Sequence, residues 1–305
     1  MDFVTICFIE DLPQLKLQAR SLDLYLKDFP VDRIIVVVNG WFNKCRGYLE
    51  EQVRPCYGSL AEKVEIIPST DLIKPIPIAD GYYSQQLIKI LISNHLTAKD
   101  YCMLDAKNFL TRSWKITDIY KRNKLPFRHF DLLGGWEEHC KNSFAYYGLD
   151  YKKHEWARLL TPFFAPVNVV RYIANDVNLI EFTKNGLFTE FFMMQAYIIK
   201  HHGSIEHFYH ICMDDFIDIG GIWNMDVEHV NQHNSAKQFM LEKGTDVICS
   251  GIHRKVFSNL STSSLEDVKN AWIDLGLASY DQASEIIDEM IRLNPDRRSL
   301  HLAQI

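Results

Sequence analysis

The chain has 305 residues, is 47% hydrophobic and carries a formal net charge of -6. That is enough for one large α/β core with a small appendage. Its acidic balance, with no basic block longer than the Arg297-Arg298 pair, argues against nucleic acid as a partner and leaves room only for a small basic pocket.

The first half alternates strand and helix patterns. Residues 3–9 form an apolar, β-branched run, and residues 13–27 a helix whose broad apolar side carries Leu15, Leu17, Ala19, Leu22, Leu24 and Leu26. Residues 33–38 read as a strand buried on both faces and closed by Asn39-Gly40, and residues 63–67 as a third strand. Asp80 is placed to cap a helix running to about Leu96, and residues 100–104 make a fourth strand. Continuous apolar strands separated by helices predict a parallel sheet covered on both faces, a Rossmann-like arrangement.

The second half is less regular. Residues 129–150 mix aromatics, glycines and charges in a loop-rich pattern. Thr161-Pro162 precedes an apolar segment, Phe163-Phe164-Ala165, and a helix over 167–175. Asn185-Gly186 reads as a turn before a strongly apolar helix over 188–201, and Val247-Ile248-Cys249 as a late strand. Ser263, Leu265 and Glu266 fit a capping box that opens a helix ending near Gly276. Ser279 starts a last helix, striped by Ala283, Ile286, Ile287, Met290 and Ile291 and ended by Asn294-Pro295. That stripe has two readings: packing on the domain, or docking of a second subunit to form a homo-oligomer.

Seven scattered cysteines with no CxxC pair argue against a zinc site. Cys7 and Cys102 fall inside strand patterns, as buried thiols of a reducing compartment do. The start lacks the basic region of a signal peptide. No apolar run reaches the ~18 residues of a membrane span. The expected location is cytoplasmic.

In an open parallel sheet, ligands bind beyond the carboxyl ends of the strands. Glu10 and Asp11 follow the first strand, Asn39 the second and Asp105 the fourth. A carboxylate directly after Tyr101-Cys102-Met103-Leu104 is costly to desolvate without a partner. It is suited to a metal, to a ribose hydroxyl or simply to capping the next turn. In the preceding helix, Gln85 and Gln86 each share a face with Lys89 at helical spacing, while Leu87, Ile88, Leu91 and Ile92 face the sheet. Taken alone, the polar face reads equally as solvated.

Gly81-Tyr82-Tyr83-Ser84-Gln85-Gln86-Leu87-Ile88-Lys89, followed by Tyr101-Cys102-Met103-Leu104-Asp105-Ala106-Lys107-Asn108, resembles a largely uncharacterised group of GT-A-type glycosyltransferases. In that group an aromatic-x-Gln-Gln-x-x-Lys helix precedes a strand ending in Leu-Asp-x-Asp. Weaker matches follow at Thr161-Pro162, Thr189-Glu190-Phe191, Gly251-Ile252-His253-Arg254 and Trp272 with Gly276-Leu277. The resemblance implies a GT-A Rossmann-like, mostly parallel central sheet flanked by helices over residues 1–258. A short C-terminal helical extension, 259–305, would pack on it.

It also implies a nucleotide-sugar donor, UDP- or GDP-linked, and a glycan or other hydroxyl acceptor, with a bacterial or viral surface glycan as the family-level expectation. Asp11, Asn39, Gln85, Gln86, Lys89, Lys107, Asn108, His253 and Arg254 are the donor-binding candidates. Asp105 and His253 are the candidate ligands of a divalent Mn or Mg ion. One departure bears on that ion: Lys107 stands where the second Asp of the motif belongs. At ~4 Å and an effective dielectric of ~20, two unit charges interact by roughly 4 kcal/mol, so Lys107 opposes a cation and attracts the diphosphate directly. The rival arrangement keeps an ion on Asp105, Asn108 and His253. His253 also reads as part of a surface basic turn, although imidazole and Arg254 both suit phosphate.

Transfer requires the acceptor hydroxyl to lose its proton, usually to a carboxylate in inverting enzymes. Glu190, with Asp105, is the catalytic candidate. A first-turn Glu is also explained by the helix dipole. Asp214-Asp215 with Asp218 is the competing acidic cluster, and Tyr82, Tyr83, Trp136 and Trp223 are candidate sugar-stacking rings. A nucleotidyltransferase is disfavoured because residues 9–14 contain no glycine. A noncatalytic nucleotide-sugar or glycan-binding protein is the other alternative, favoured by the lost second Asp.

Overall fold

A computed structural model describes residues 1–73, 81–130, 134–154, 156–157, 159–176, 188–211, 218–241 and 247–295. Asp80, Asn185-Gly186, Asp214-Asp215 and the side chain of Tyr82 lie outside the described residues.

The chain opens with β1 (Asp2–Cys7), α1 (Leu12–Tyr25), β2 (Ile34–Val38) and β3 (Val64–Pro68). Next come α2 (Gly81–Leu91), β4 (Asp100–Asp105), the short β5 (Asn108–Leu110), β6 (Phe163–Pro166) and α3 (Val167–Asp176). The strands β1 to β4 and β6 form one sheet in the order β3-β2-β1-β4-β6. The first four are mutually parallel, and only β6 runs antiparallel, with Met103 facing Phe163. The Ile34–Val38 strand is buried throughout, and each such side chain stabilises the fold by about 1.5–3 kcal/mol. α1 covers one face with Leu15 and Leu22, and α2 brings Leu87 and Ile88 into the same core.

The last third adds α4 (Glu190–His202), β7 (Asp218–Ile219), β8 (Val247–Gly251), α5 (Thr262–Asp274) and α6 (Tyr280–Leu293). β8 pairs with β7 in parallel and with β5 antiparallel, with Gly251 facing Asn108. This small sheet brings the end of β8 to the turn that follows β4. The stripe Ala283, Ile286, Ile287 and Met290 is buried in a cluster with Leu17, Phe257 and Trp272, so it packs within the chain. Tyr25 and Arg20 of α1 donate to the carbonyls of Leu275 and Leu277.

Two local expectations change. The cap of α5 is Ser261, whose hydroxyl accepts from the Ser264 amide, whereas Ser263 donates to Asn234. The stretch expected to be loop-rich contains a helix, Glu137–Tyr146, fixed by burying Cys140, Ser143 and Phe144 on one side. So short a stripe is hard to distinguish from a loop.

Candidate active site

The parallel strands end at Cys7, Val38 and Asp105, and a cavity of about 410 Å³ opens there. Asp11, Gln14, Gln85, Asp105, Lys107, His253, Arg254 and Lys255 line it, with Ile6 and Phe8 as its apolar floor. Three cations therefore face two carboxylates in an acidic protein. The α2 helix begins at the same cavity with Gly81.

Asp105 is held by two ammonium groups. Lys107 pairs with Oδ2, and Lys89 Nζ lies 3.3 Å from Oδ1. Burial alone would raise its pKa, but Lys107 and Lys89 reverse that and hold the carboxyl well below the usual range. The same Lys89 Nζ lies 2.9 Å from Oε1 of Glu190. Burial would lower the Lys89 pKa, and the carboxylates of Glu190 and Asp105 outweigh it to hold it above its ordinary value. Glu190 is fully buried at the start of α4, and the Gln86 side-chain amide lies against the same carboxylate, to which its nitrogen donates once the amide is oriented to satisfy both groups. Burial pushes the Glu190 carboxyl up against the opposing pull of Lys89.

The rest of the charged lining comes from the ends of β1 and β8. Arg254 Nη1 donates to Asp11 Oδ1 at 2.9 Å, and the Phe8 amide donates to Oδ2 at 3.0 Å. Burial pushes the Asp11 carboxyl up, against the lowering effect of Arg254. His253 stacks on Trp223 with ring centroids 5.9 Å apart, and Lys107 Nζ sits 4.7 Å from the Trp223 centroid. Burial, assisted by the positive charges of Lys107, Arg254 and Lys255, pushes His253 down to about 4, so its ring is neutral at pH 7.

Two candidates support the site from outside the cavity lining. Asn108 Oδ1 accepts from the Asp105 amide at 2.7 Å and its Nδ2 donates to the Thr161 carbonyl at 3.3 Å, which closes the turn carrying Lys107. Asn39 Nδ2 donates to Ser84 Oγ at 2.8 Å and ties the end of β2 to α2. The polar face of α2 is not solvated: Gln86 and Lys89 are buried, and only Gln85 of the three lines the cavity.

The arrangement does not suit the metal expected on Asp105 and His253. Both line the cavity, but each oxygen of Asp105 faces an ammonium and Asp11 is paired with Arg254. Among the described residues, no group of three His, Cys, Asp or Glu could share an ion. A hard cation needs such a set of oxygen donors. The donor set fits an anion.

Sequence reasoning missed Gln14, Gln18 and Ser21. Gln18 accepts from Thr5 and donates to the carbonyls of Asp105 and Asn108, while Ser21 accepts from the Leu110 amide. Gln14 donates to the Ile252 carbonyl at 2.7 Å. These residues recur every three or four positions among the apolar residues of α1, a buried polar stripe that signals partners across the fold.

Comparison with known proteins places the fold. The model of a family of unknown function, DUF6492, matches residues 5–128. Curated proteins give no match. Among solved structures, the galactosyltransferase LgtC bound to donor and acceptor sugar analogs aligns with a TM-score of 0.50 at 12% identity, covering 94% of this chain and 95% of LgtC. An active-site mutant of LgtC aligns with a TM-score of 0.53 at 12% identity, covering 89% of this chain and 95% of that one. The fold is of the GT-A glycosyltransferase type. The apo bifunctional glycosyltransferase WbbM gives a TM-score of 0.53 at 9% identity, covering 95% of this chain and 51% of WbbM. At such identities the GT-A likeness is one of architecture. No described helix is long and apolar enough to cross a membrane.

Proposed function

We propose that the chain is a glycosyltransferase that takes a UDP- or GDP-linked sugar and transfers it to a hydroxyl of a glycan or related acceptor. Residues 1–258 would form the catalytic domain and 259–305 its helical extension. The observation that carries this reading is the cation-rich cavity at the carboxyl ends of the parallel strands, lined by Lys107, Arg254 and Lys255.

In this reading the donor diphosphate lies between the β4 turn and the end of β8. An ammonium has three donors; Lys107 commits one to Asp105 and keeps two for phosphate oxygens. Arg254 offers the rest of its guanidinium fork. The start of α2 adds the favourable end of a helix dipole. These groups stabilise the negative charge that grows on the leaving diphosphate as the anomeric C–O bond breaks, the role a cation would otherwise serve. Lys107 thus stands in for the motif's metal.

Glu190 does not fit the part of general base. A base needs hydrogen-bond reach to the acceptor hydroxyl, and Glu190 is fully buried on Lys89. The same burial favours a second reading, a protein that binds nucleotide sugars without transferring them. Calorimetric titration with a panel of UDP- and GDP-sugars, followed by donor-hydrolysis and transfer assays, separates the two. Binding with turnover supports the enzyme. Binding without turnover supports the second reading, and no binding by any nucleotide sugar overturns both.

A further inference from the structure

Glu190 is a carboxyl sealed inside the protein and paired with the Lys89 ammonium, close behind the anion cavity. Its carboxylate has no exposed surface, and the side chain of Lys89 that pairs with it is 6% exposed. Lys89 is shared: its Nζ lies 2.9 Å from Glu190 Oε1 and 3.3 Å from Asp105 Oδ1. It also sits 5.4 Å from the ring centroid of Phe191. Asp105 in turn uses its other oxygen on Lys107, one of the cations that line the cavity. Charges therefore alternate from the core outward: Glu190, Lys89, Asp105, Lys107.

The charges of such a chain act additively on the cavity. Lys89 favours an anion there and offsets Asp105, and Glu190, which lies at the shorter distance from Lys89, cancels much of that effect. The negative charge of Asp105 is then left to offset Lys107. A buried charge is weakly screened by solvent and salt, so its influence reaches the cavity.

We propose that Glu190 is a positioning residue that holds down the affinity of the cavity for phosphate groups, acting through Lys89 and Asp105 on Lys107. This rests on the donor-diphosphate reading above. In that setting it serves product release: a nucleoside diphosphate left in a cation-lined cavity dissociates slowly, and release commonly limits turnover.

The role carries a sign that neither a general base nor a purely structural residue shares. Replacing Glu190 by Gln keeps a hydrogen-bonding group of similar size and removes the charge. Lys89 then bears wholly on Asp105, Lys107 is released towards the cavity, and a phosphate ligand binds more tightly. Loss of a base would leave binding unchanged, and loss of a structural support would weaken it.

The test is calorimetric titration of the full chain and Glu190→Gln with inorganic pyrophosphate and with UDP. Glu190→Gln is expected to bind both about three- to tenfold more tightly. Unchanged or weaker binding by the folded variant overturns the inference. Should that variant fail to fold, the double Lys89→Met, Glu190→Leu replaces the buried pair by apolar groups, a change that cores tolerate. It leaves Asp105 to act on Lys107 alone and is expected to bind below the wild-type level; binding at or above that level overturns the inference. If the unaltered protein binds neither pyrophosphate nor UDP, the donor-diphosphate reading falls and takes this one with it. Normal wild-type binding with no gain in the variant removes this one alone.

Discussion

Arg254 donates to Asp11 at 2.9 Å across 243 positions of sequence, joining the exit of β8 to the exit of β1. Both residues line the cavity together with Lys107. Replacing Arg254 by Met leaves the Asp11 carboxylate short of its counter-charge. The expected cost is about 3 kcal/mol of folding stability, read from urea unfolding. The double Arg254→Met, Asp11→Asn recovers most of it. Pyrophosphate affinity drops in both variants, because the guanidinium is gone from each.

Asp11 also gives the site a pH signature. Burial raises its folded-state pKa despite Arg254, so the native state holds that proton more tightly than the unfolded chain, whose carboxyl titrates near about 3.9. The stability tied to this group is present below the unfolded value and is lost as pH rises through the folded value. Subtracting the unfolding free energy of Asp11→Asn from that of the wild type isolates it. The difference is expected to become less favourable to the wild type as pH climbs above about 4. A difference that grows with pH would contradict the assignment.

Much of this was legible in the sequence. The runs at 3–9, 33–38, 63–67 and 100–104 match β1 to β4 to within a residue or two at most ends, because strands buried on both faces leave continuous apolar runs. Asp105 was identified by its place after a strand, and Lys107, His253 and Arg254 by the resemblance; the structure brings all four to one cavity. The roles of Lys89 and Glu190 were not legible. They are 101 positions apart, and only the packing of α2 beside α4 reveals that they neutralise each other. The antiparallel pairing of β5 with β8 was equally hidden, since Asn108–Leu110 is too short to show a period.

A single substitution at Lys107 tests the proposed metal-free site against a metal site. Lys107→Asp would restore the second carboxylate of the motif, two positions from Asp105, as oxygen donors for a cation. Without metal it should bind pyrophosphate at least about tenfold more weakly than the wild type. Added Mn²⁺ should raise its melting temperature and leave that of the wild type unchanged. A wild-type protein stabilised by Mn²⁺ to the same extent would count against the role assigned to Lys107.

Gly251 sets how closely β8 approaches that lysine. A Cβ there would lie 2.9 Å from the Lys107 carbonyl oxygen and 3.2 Å from its Cγ. Gly251→Ala is therefore expected to cost about 1–3 kcal/mol and to weaken pyrophosphate binding by displacing the turn. At Gly135 a Cβ meets nothing within 4 Å, so Gly135→Ala serves as the control, with a change within about 0.5 kcal/mol. Equal effects at both glycines would show that the contact is not what positions Lys107.

In the proposed reading, side-chain cations led by Lys107 and Arg254 hold a diphosphate without help from a metal. Titration of UDP and GDP into protein stripped with EDTA, repeated with Mn²⁺ restored, tests it most directly. At least one nucleotide is expected to bind the stripped protein, Mn²⁺ to change its affinity little, and Lys107→Ala to abolish most of the binding. Binding that vanishes in EDTA and returns with Mn²⁺ would contradict the reading.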